Sequence, residues 1–154
     1  MANIAQTVNV LQAVILTDGE RMLRTPTYHT FEMYIPFQDA TFVPVLPGDT
    51  GDYELGEVSV PQVSATAALS TDGKLVVALV NLHARDAVDV DVELRGFAAV
   101  SADARVLTGD AIDAHNTFDS PNAVQPAPLA TDLGEDDFNA TLPPRSVSVV
   151  VLSR

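Results

Sequence analysis

The chain has 154 residues, 47% hydrophobic and 19% charged, with no cysteine; this excludes a wholly disordered chain, a disulfide framework and a thiolate metal site. Acidic residues outnumber basic ones by 21 to 8, for a net charge of −13, which disfavours nucleic acid and anionic membrane surfaces as partners. No run of about eighteen apolar residues is long enough to cross a membrane, and no basic stretch precedes an apolar run as a secretory signal would require, so a cytoplasmic location is expected. The three histidines are scattered, so neither a metal centre nor another cofactor is expected.

Ile4, Val8 and Leu11 recur at helical spacing and predict a helix over about residues 2–12. Ala13-Val14-Ile15-Leu16 is a short continuous apolar run, the pattern of a strand buried on both faces in a parallel sheet. Thr17–Thr25 is then a loop. Thr25-Pro26 opens a second helix, with Thr25 as the cap and Pro26 at the first helical position. Tyr28, Phe31 and Ile35 share a face of it, and Pro36 ends it.

After residue 40 the period becomes two. Val63–Leu69 and Lys74–Leu82 read as a hairpin around Thr71-Asp72-Gly73, the second strand being central. Val88, Val90, Val92 and Leu94 alternate with Asp89, Asp91 and Glu93, a strand with one solvated acidic face. Phe97–Leu107 and Ser146–Leu152 supply further strands, and Asp110–Asp137 reads as a long loop with short strands. The predicted fold class is mainly β: an antiparallel β-sandwich or jelly roll preceded by a helix–strand–helix piece of another architecture. The charge follows the same division, at −2 for residues 1–45 and −11 for the remainder.

A helix–strand–helix slice cannot satisfy itself, because a parallel-type strand needs neighbours on both edges and cover on both faces. Either the sandwich provides the cover, or residues of the same fold lie upstream. The second is the more natural expectation.

Several segments resemble a known family. The stretch from Ala2 to Gln12 resembles a helix late in the barrel of family 51 α-L-arabinofuranosidases. Thr25-Pro26-Thr27-Tyr28-His29-Thr30-Phe31-Glu32-Met33-Tyr34 resembles the segment after that barrel's last strand. Ala78-Leu79-Val80-Asn81-Leu82-His83, Leu107-Thr108-Gly109 and His115-Asn116-Thr117-Phe118 resemble parts of its sandwich, as do the stretches 121–126 and 142–147. The resemblance implies that residues 1–40 are the closing segment of a TIM barrel, a (β/α)8 fold, and residues 41–154 a C-terminal β-sandwich domain. It also implies retaining hydrolysis of terminal arabinofuranosyl groups from arabinan and arabinoxylan, a glycoside hydrolase activity of L-arabinose metabolism.

That chemistry uses two carboxyl groups about 5–5.5 Å apart, a nucleophile and an acid/base. In the family both are glutamates on earlier barrel strands, and the acid/base follows an Asn. No Asn-Glu pair occurs in this chain, so the resemblance implies that both catalytic residues are absent and that the chain is not an enzyme by itself. In some members a sugar-binding Gln stands near the position of Thr25, which makes Thr25 the substrate-binding candidate. On its own chemistry Thr25 reads as a helix cap.

Other residues carry sharper and blander readings. Glu20 and Glu32 read as solvated acids before they read as a catalytic pair, and His29 as a packing or capping residue before a sugar contact. The acidic turns Asp49–Glu57 and Asp132–Asp137 lack the spacing of a calcium loop and read as solvated. Asn139-Ala140-Thr141 matches a glycosylation sequon. Tyr53, Phe97, Phe118 and Phe138 are assigned to core packing rather than to a sugar-stacking platform, since the chain has no Trp. The expected function is accessory: the C-terminal part of an α-L-arabinofuranosidase, or else a carbohydrate-binding or assembly β-sandwich module. Expected partners are arabinose-containing oligosaccharides in the full-length enzyme and the missing barrel residues or another subunit. Neither nucleic acid nor membrane is expected, and a homo-oligomer is left open.

Overall fold

The computed structural model describes Ile4 and residues 6–154. Strands β1 (Ile15–Asp18) and β2 (Arg21–Arg24) form an antiparallel hairpin, followed by helix α1 (Pro26–Met33) and a short 3-10 turn at Ile35–Phe37. Then come β3 (Thr41–Val43), β4 (Asp52–Leu55), β5 (Val58–Pro61), β6 (Val63–Leu69), β7 (Leu75–Asn81), β8 (Val88–Glu93) and β9 (Ser101–Leu107). The chain ends with β10 (Ala127–Pro128), β11 (Asp132–Leu133), β12 (Asp137–Leu142) and β13 (Ser146–Ser153). Among the described residues the main sheet has six strands in the order β10-β9-β13-β7-β6-β3, and a second has three in the order β11-β12-β8. The two hairpins β1-β2 and β4-β5 stand apart from both sheets.

The six-stranded sheet is covered on both faces at its centre. Side chains alternate along a strand, so Leu75, Val77 and Leu79 of β7 join Phe138, Leu142, Val150 and Leu152 in the core facing the three-stranded sheet. Val76 and Ala78 point the other way and pack with Val149 of β13 under Met33 of α1. This is why β7 is apolar at nearly every position. In the three-stranded sheet Phe138, Ala140 and Leu142 pair with Val92, Val90 and Val88 on the inner face. Asp89, Asp91 and Glu93 stay exposed on the outer face. The antiparallel two-layer architecture is as the patterns require, and the predicted hairpin pairs Val63–Leu69 with Leu75–Asn81.

The front of the chain departs from expectation. Met1–Asn3 and Ala5, part of the predicted first helix, lie outside the described residues. From Gln6 to Gln12 the chain runs in bends and a turn, not a helix. Asn9 (φ 53°) and Gln12 (φ 60°) sit in the left-handed region, which a right-handed helix does not admit. Asn9 is held there by bonding Thr17 twice, its Nδ2 donating to Oγ1 and its Oδ1 accepting from the backbone N–H. Val8 bridges to Ile15 in parallel, but the apolar run is otherwise one arm of an antiparallel hairpin. Residues 17–25 are therefore mostly β2 and the tight turn before it. A hairpin and one helix stand where helix–strand–helix was expected.

The second helix forms as predicted, with Pro26 in its first turn and Thr25 Oγ1 accepting from Tyr28 N–H at 3.4 Å. It ends at Met33, before the expected Pro36. Its buried face is His29 and Met33, whereas Phe31 and Ile35 are exposed.

Candidate functional site

Most segments that carry the resemblance meet where one end of the sandwich adjoins α1. Asn81 closes β7 and is fully buried. Its Nδ2 donates to three carbonyls, of Asp86 at 2.9 Å, Pro143 at 3.0 Å and Leu142 at 3.1 Å. Its Oδ1 accepts from His83 N–H at 3.0 Å. The Pro143-Pro144 pair explains why side chains are drawn here: proline offers a carbonyl but no N–H. Ser146 Oγ donates to the Pro143 carbonyl at 2.7 Å, and Thr108 Oγ1 to that of Pro144 at 2.9 Å.

Arg145 follows with φ 53°, a strained setting for a side-chain-bearing residue. It is held by its own contacts. Its N–H donates to the His83 carbonyl at 3.0 Å, and its guanidinium donates to the carbonyls of Ala84, Gly109 and Asp110. Asn116, also buried, stitches the following loop to the front of the chain. Its Nδ2 donates to the carbonyls of Arg24 (2.8 Å) and Val124 (2.9 Å), and its Oδ1 accepts from Val124 N–H at 2.7 Å.

These contacts frame a cleft of about 320 Å³ lined by Pro26, Val80, Leu82, Ile112, Arg145 and Val147, among others. Among the described residues no carboxylate and no histidine lines it. Its polar side chains are spent on backbone groups, so the cleft offers a shaped apolar seat and no acid–base pair. A second cleft, about 360 Å³, lies on the outer face of the three-stranded sheet between Asp89, Asp91, Asp132, Asn139 and Thr141. Thr141 Oγ1 there donates to Asp89 Oδ1 at 2.6 Å. Among the described residues no group of three or more His, Asp or Glu is set to hold a metal ion.

The residues singled out from sequence are dispersed. The Thr25 hydroxyl donates to the Ala13 carbonyl at 2.8 Å while capping α1, so it locks the hairpin to the helix. Glu20 is exposed in the turn between β1 and β2. Glu32, expected as a solvated acid, instead makes a two-bond bridge to Arg105 of β9 at 3.0 and 3.2 Å. That hydrogen-bonded guanidinium holds the Glu32 carboxyl below its usual pKa. His29 is buried on α1. Of the aromatics, Phe97 and Phe138 are in the core. Tyr53 meets His83 edge-on at 4.9 Å, and Phe118 lies under the Arg21 guanidinium at 4.8 Å. They make no common platform. Asp49–Glu57, expected as one solvated turn, contains β4. Within it Asp49 Oδ1 accepts from Gly51 N–H, and Asp52 Oδ2 accepts from the Ser59 hydroxyl across the β4-β5 hairpin.

Sequence reasoning does not single out Asn81, Asn116 or Arg145 as functional residues. A signal exists: each lies inside a segment that carries the resemblance, and Asn81 and Arg145 are polar within an apolar or proline-rich context.

The model of the alpha-L-arabinofuranosidase C-terminal domain matches residues 1–146. The chain belongs to that family. The domain is 37% identical over 159 residues to an intracellular exo-alpha-L-arabinofuranosidase of Bacteroides ovatus, covering 99% of this chain and 30% of the relative. It superposes on the crystal structure of the GH51 arabinofuranosidase from Xanthomonas axonopodis pv. citri with a TM-score of 0.94 and 41% identity, covering 99% of this chain and 31% of that one. The thermostable GH51 alpha-L-arabinofuranosidase from Thermotoga petrophila gives a TM-score of 0.80 at 31% identity, covering 99% and 34%. The domain thus spans about a third of the length of the proteins it matches. Among its described residues no helix is long and apolar enough to cross a membrane.

Proposed function

We propose that the domain is the non-catalytic C-terminal part of a cytoplasmic, retaining α-L-arabinofuranosidase that acts on arabinose-containing oligosaccharides. Residues 1–40 complete a (β/α)8 barrel and residues 41–154 form the sandwich that braces it. The observation that carries this reading is the placement of exposed apolar side chains on the front of the chain. Leu11 is 94% exposed and Ile35 54%, with Val8, Met22 and Phe31 also uncovered. A hairpin of four-residue strands is marginal alone, and such residues signal a surface made to be covered. The covering surface is the rest of the barrel, which also supplies the two catalytic carboxylates. Thr25 acts there by fixing the entry of α1, and any contact with sugar is through the loop it positions. The test is light scattering with an apolar-patch dye. The isolated chain should self-associate and bind dye, and a polypeptide extended upstream through the barrel should do neither. A clean, dye-silent monomer of the isolated chain would sink the reading.

A second reading, assembly, draws on the β4-β5 hairpin. Cross-strand pairing puts Tyr53 opposite Val60 and Leu55 opposite Val58, so all four share one face, and Leu55 and Val58 are largely exposed. Leu55→Lys should lower the mass of an oligomeric full-length enzyme and leave the mass of a monomeric one unchanged.

A further inference from the structure

Helix α1 buries two side chains, His29 and Met33, one turn apart on the same face. Met33 packs on Val76, Ala78 and Val149 of the six-stranded sheet. His29 is 8% exposed, and its Nδ1 is buried without a hydrogen-bond partner among the described residues. The nearest carboxylate oxygen, Glu32 Oε2, is 3.8 Å away, beyond hydrogen-bond reach. Glu32 has both oxygens engaged by the Arg105 guanidinium, which ties α1 to β9.

The charged groups around the imidazole come from three elements: Glu32 on its own helix, Arg24 on β2 and Arg105 on β9. Tyr28 meets it edge-on with ring centroids 5.5 Å apart, and the Arg24 guanidinium sits 4.9 Å from the Tyr28 ring centroid. A neutral imidazole fits this setting. An imidazolium faces two cations and a single carboxylate that is already committed.

We propose that His29 makes the seat of α1 on the six-stranded sheet a proton-sensitive latch, closed while the imidazole is neutral and loosened when acid charges it. A charged His29 has two ways to find relief. It draws Glu32 Oε2 toward Nδ1 and breaks one of the two bonds to Arg105, or it swings toward water and lifts the helix turn that carries it. Both weaken the same attachment, between the front of the chain and the sandwich. The electrostatics agree with the geometry. Burial lowers the His29 pKa from 6.5 against the opposing pull of Glu32, and Arg24 and Arg105 lower it further. Because the unfolded chain takes up the proton first as pH falls, the stabilisation is complete above the ordinary histidine pKa. It is lost as pH drops from there toward the lowered value.

The test is amide hydrogen exchange on the polypeptide extended upstream through the barrel, between pH 7.5 and 5.5, corrected for intrinsic rates. Amides of Thr30–Tyr34 are compared with those of Val149 and Val150 in β13. Protection of α1 should fall with acid while that of β13 holds, and His29→Gln should flatten the α1 response. Equal acid sensitivity in the two proteins, or none in the unsubstituted chain, overturns the proposal. If His29→Gln does not fold, an imidazole nitrogen titration of the unsubstituted chain decides. An apparent pKa below 6.5 that coincides with α1 loosening supports the latch, and one at or above 6.5 overturns it.

Discussion

Replacing Asn81 with alanine tests whether one buried amide organises the end of the sandwich. The two protons on Nδ2 serve three carbonyls, those of Asp86, Leu142 and Pro143, so at least one bond is shared. A net gain of about 1 kcal/mol per hydrogen bond gives roughly 2 kcal/mol for two full donors. Truncation also strands the buried Leu142 carbonyl and the N–H of His83 that Oδ1 accepts. Each stranded group costs a further ~1 kcal/mol or more. The expected destabilisation is therefore roughly 4 kcal/mol. For a domain of this size each kcal/mol lowers Tm by about 2–4 °C, so the drop should be on the order of 8–16 °C. Urea unfolding with Asn81→Ala, alongside Asn81→Asp, reads it directly. The aspartate keeps the shape, loses the donors and turns an anion toward carbonyls, so it should be at least as damaging. A loss under about 0.5 kcal/mol for both would refute the reasoning, since a buried donor that can be removed at that cost is not holding the loops.

An alanine Cβ at Gly109 would lie 2.7 Å from that of Ala114, so Gly109→Ala should cost about 1–3 kcal/mol by overpacking. Adding Ala114→Gly should restore most of it, and absence of rescue in a thermal melt would contradict the crowding. Phe138 is fully buried between the sheets, so Phe138→Ala should cost about 3–5 kcal/mol in chemical denaturation. Phe118→Ala, at a half-buried site under Arg21, should cost much less. The Glu32–Arg105 bridge is partly exposed and is worth at most about 1 kcal/mol. Because the folded pKa of Glu32 is lowered, that stabilisation is present at neutral pH and fades as pH falls from 4.5 through the lowered value. Glu32→Gln should remove this acid limb of the stability profile, and an unchanged profile would show that the bridge contributes nothing.

The sandwich was legible because its signals are local and two-valued. The alternation of Val88 through Glu93 maps one face to core and one to water, and the apolar continuity of β7 maps to cover on both faces. The front departs from its sequence pattern for a physical reason. Residues 13–16 look like a buried parallel strand when taken alone. The turn that folds them back is Gly19-Glu20, set by the pairing of Asp18 with Arg21 and by Gly19 at φ 58°. The same Gly-Glu pair, with Gly56 at φ 63°, turns β4 into β5. A glycine-first loop of two residues is a recognised hairpin signal, but here the flanking strands are too short to show alternation. The helical spacing of Ile4, Val8 and Leu11 misled in a second way. Period cannot report that Asn9 prefers to bond Thr17 in a left-handed conformation.

The site was less legible than the fold. Asn81, Asn116 and Arg145 act on backbone carbonyls contributed by distant segments, 61 and 62 residues away from Asn81 and 92 from Asn116. No spacing rule in one sequence encodes partners of that kind. The likeness to known segments marked the right stretches without saying what their side chains hold. The bridge from Glu32 to Arg105 spans 73 residues and was hidden for the same reason.

On the proposed function, this domain braces an arabinofuranosidase and performs no chemistry itself. The direct test is release of arabinose from an arabinofuranosyl oligosaccharide, by the purified 154-residue chain and by the same chain extended upstream through its barrel. No release is expected from the first, and release from the second. Hydrolysis by the isolated chain, or an inert extended polypeptide that is folded, would contradict the proposed function.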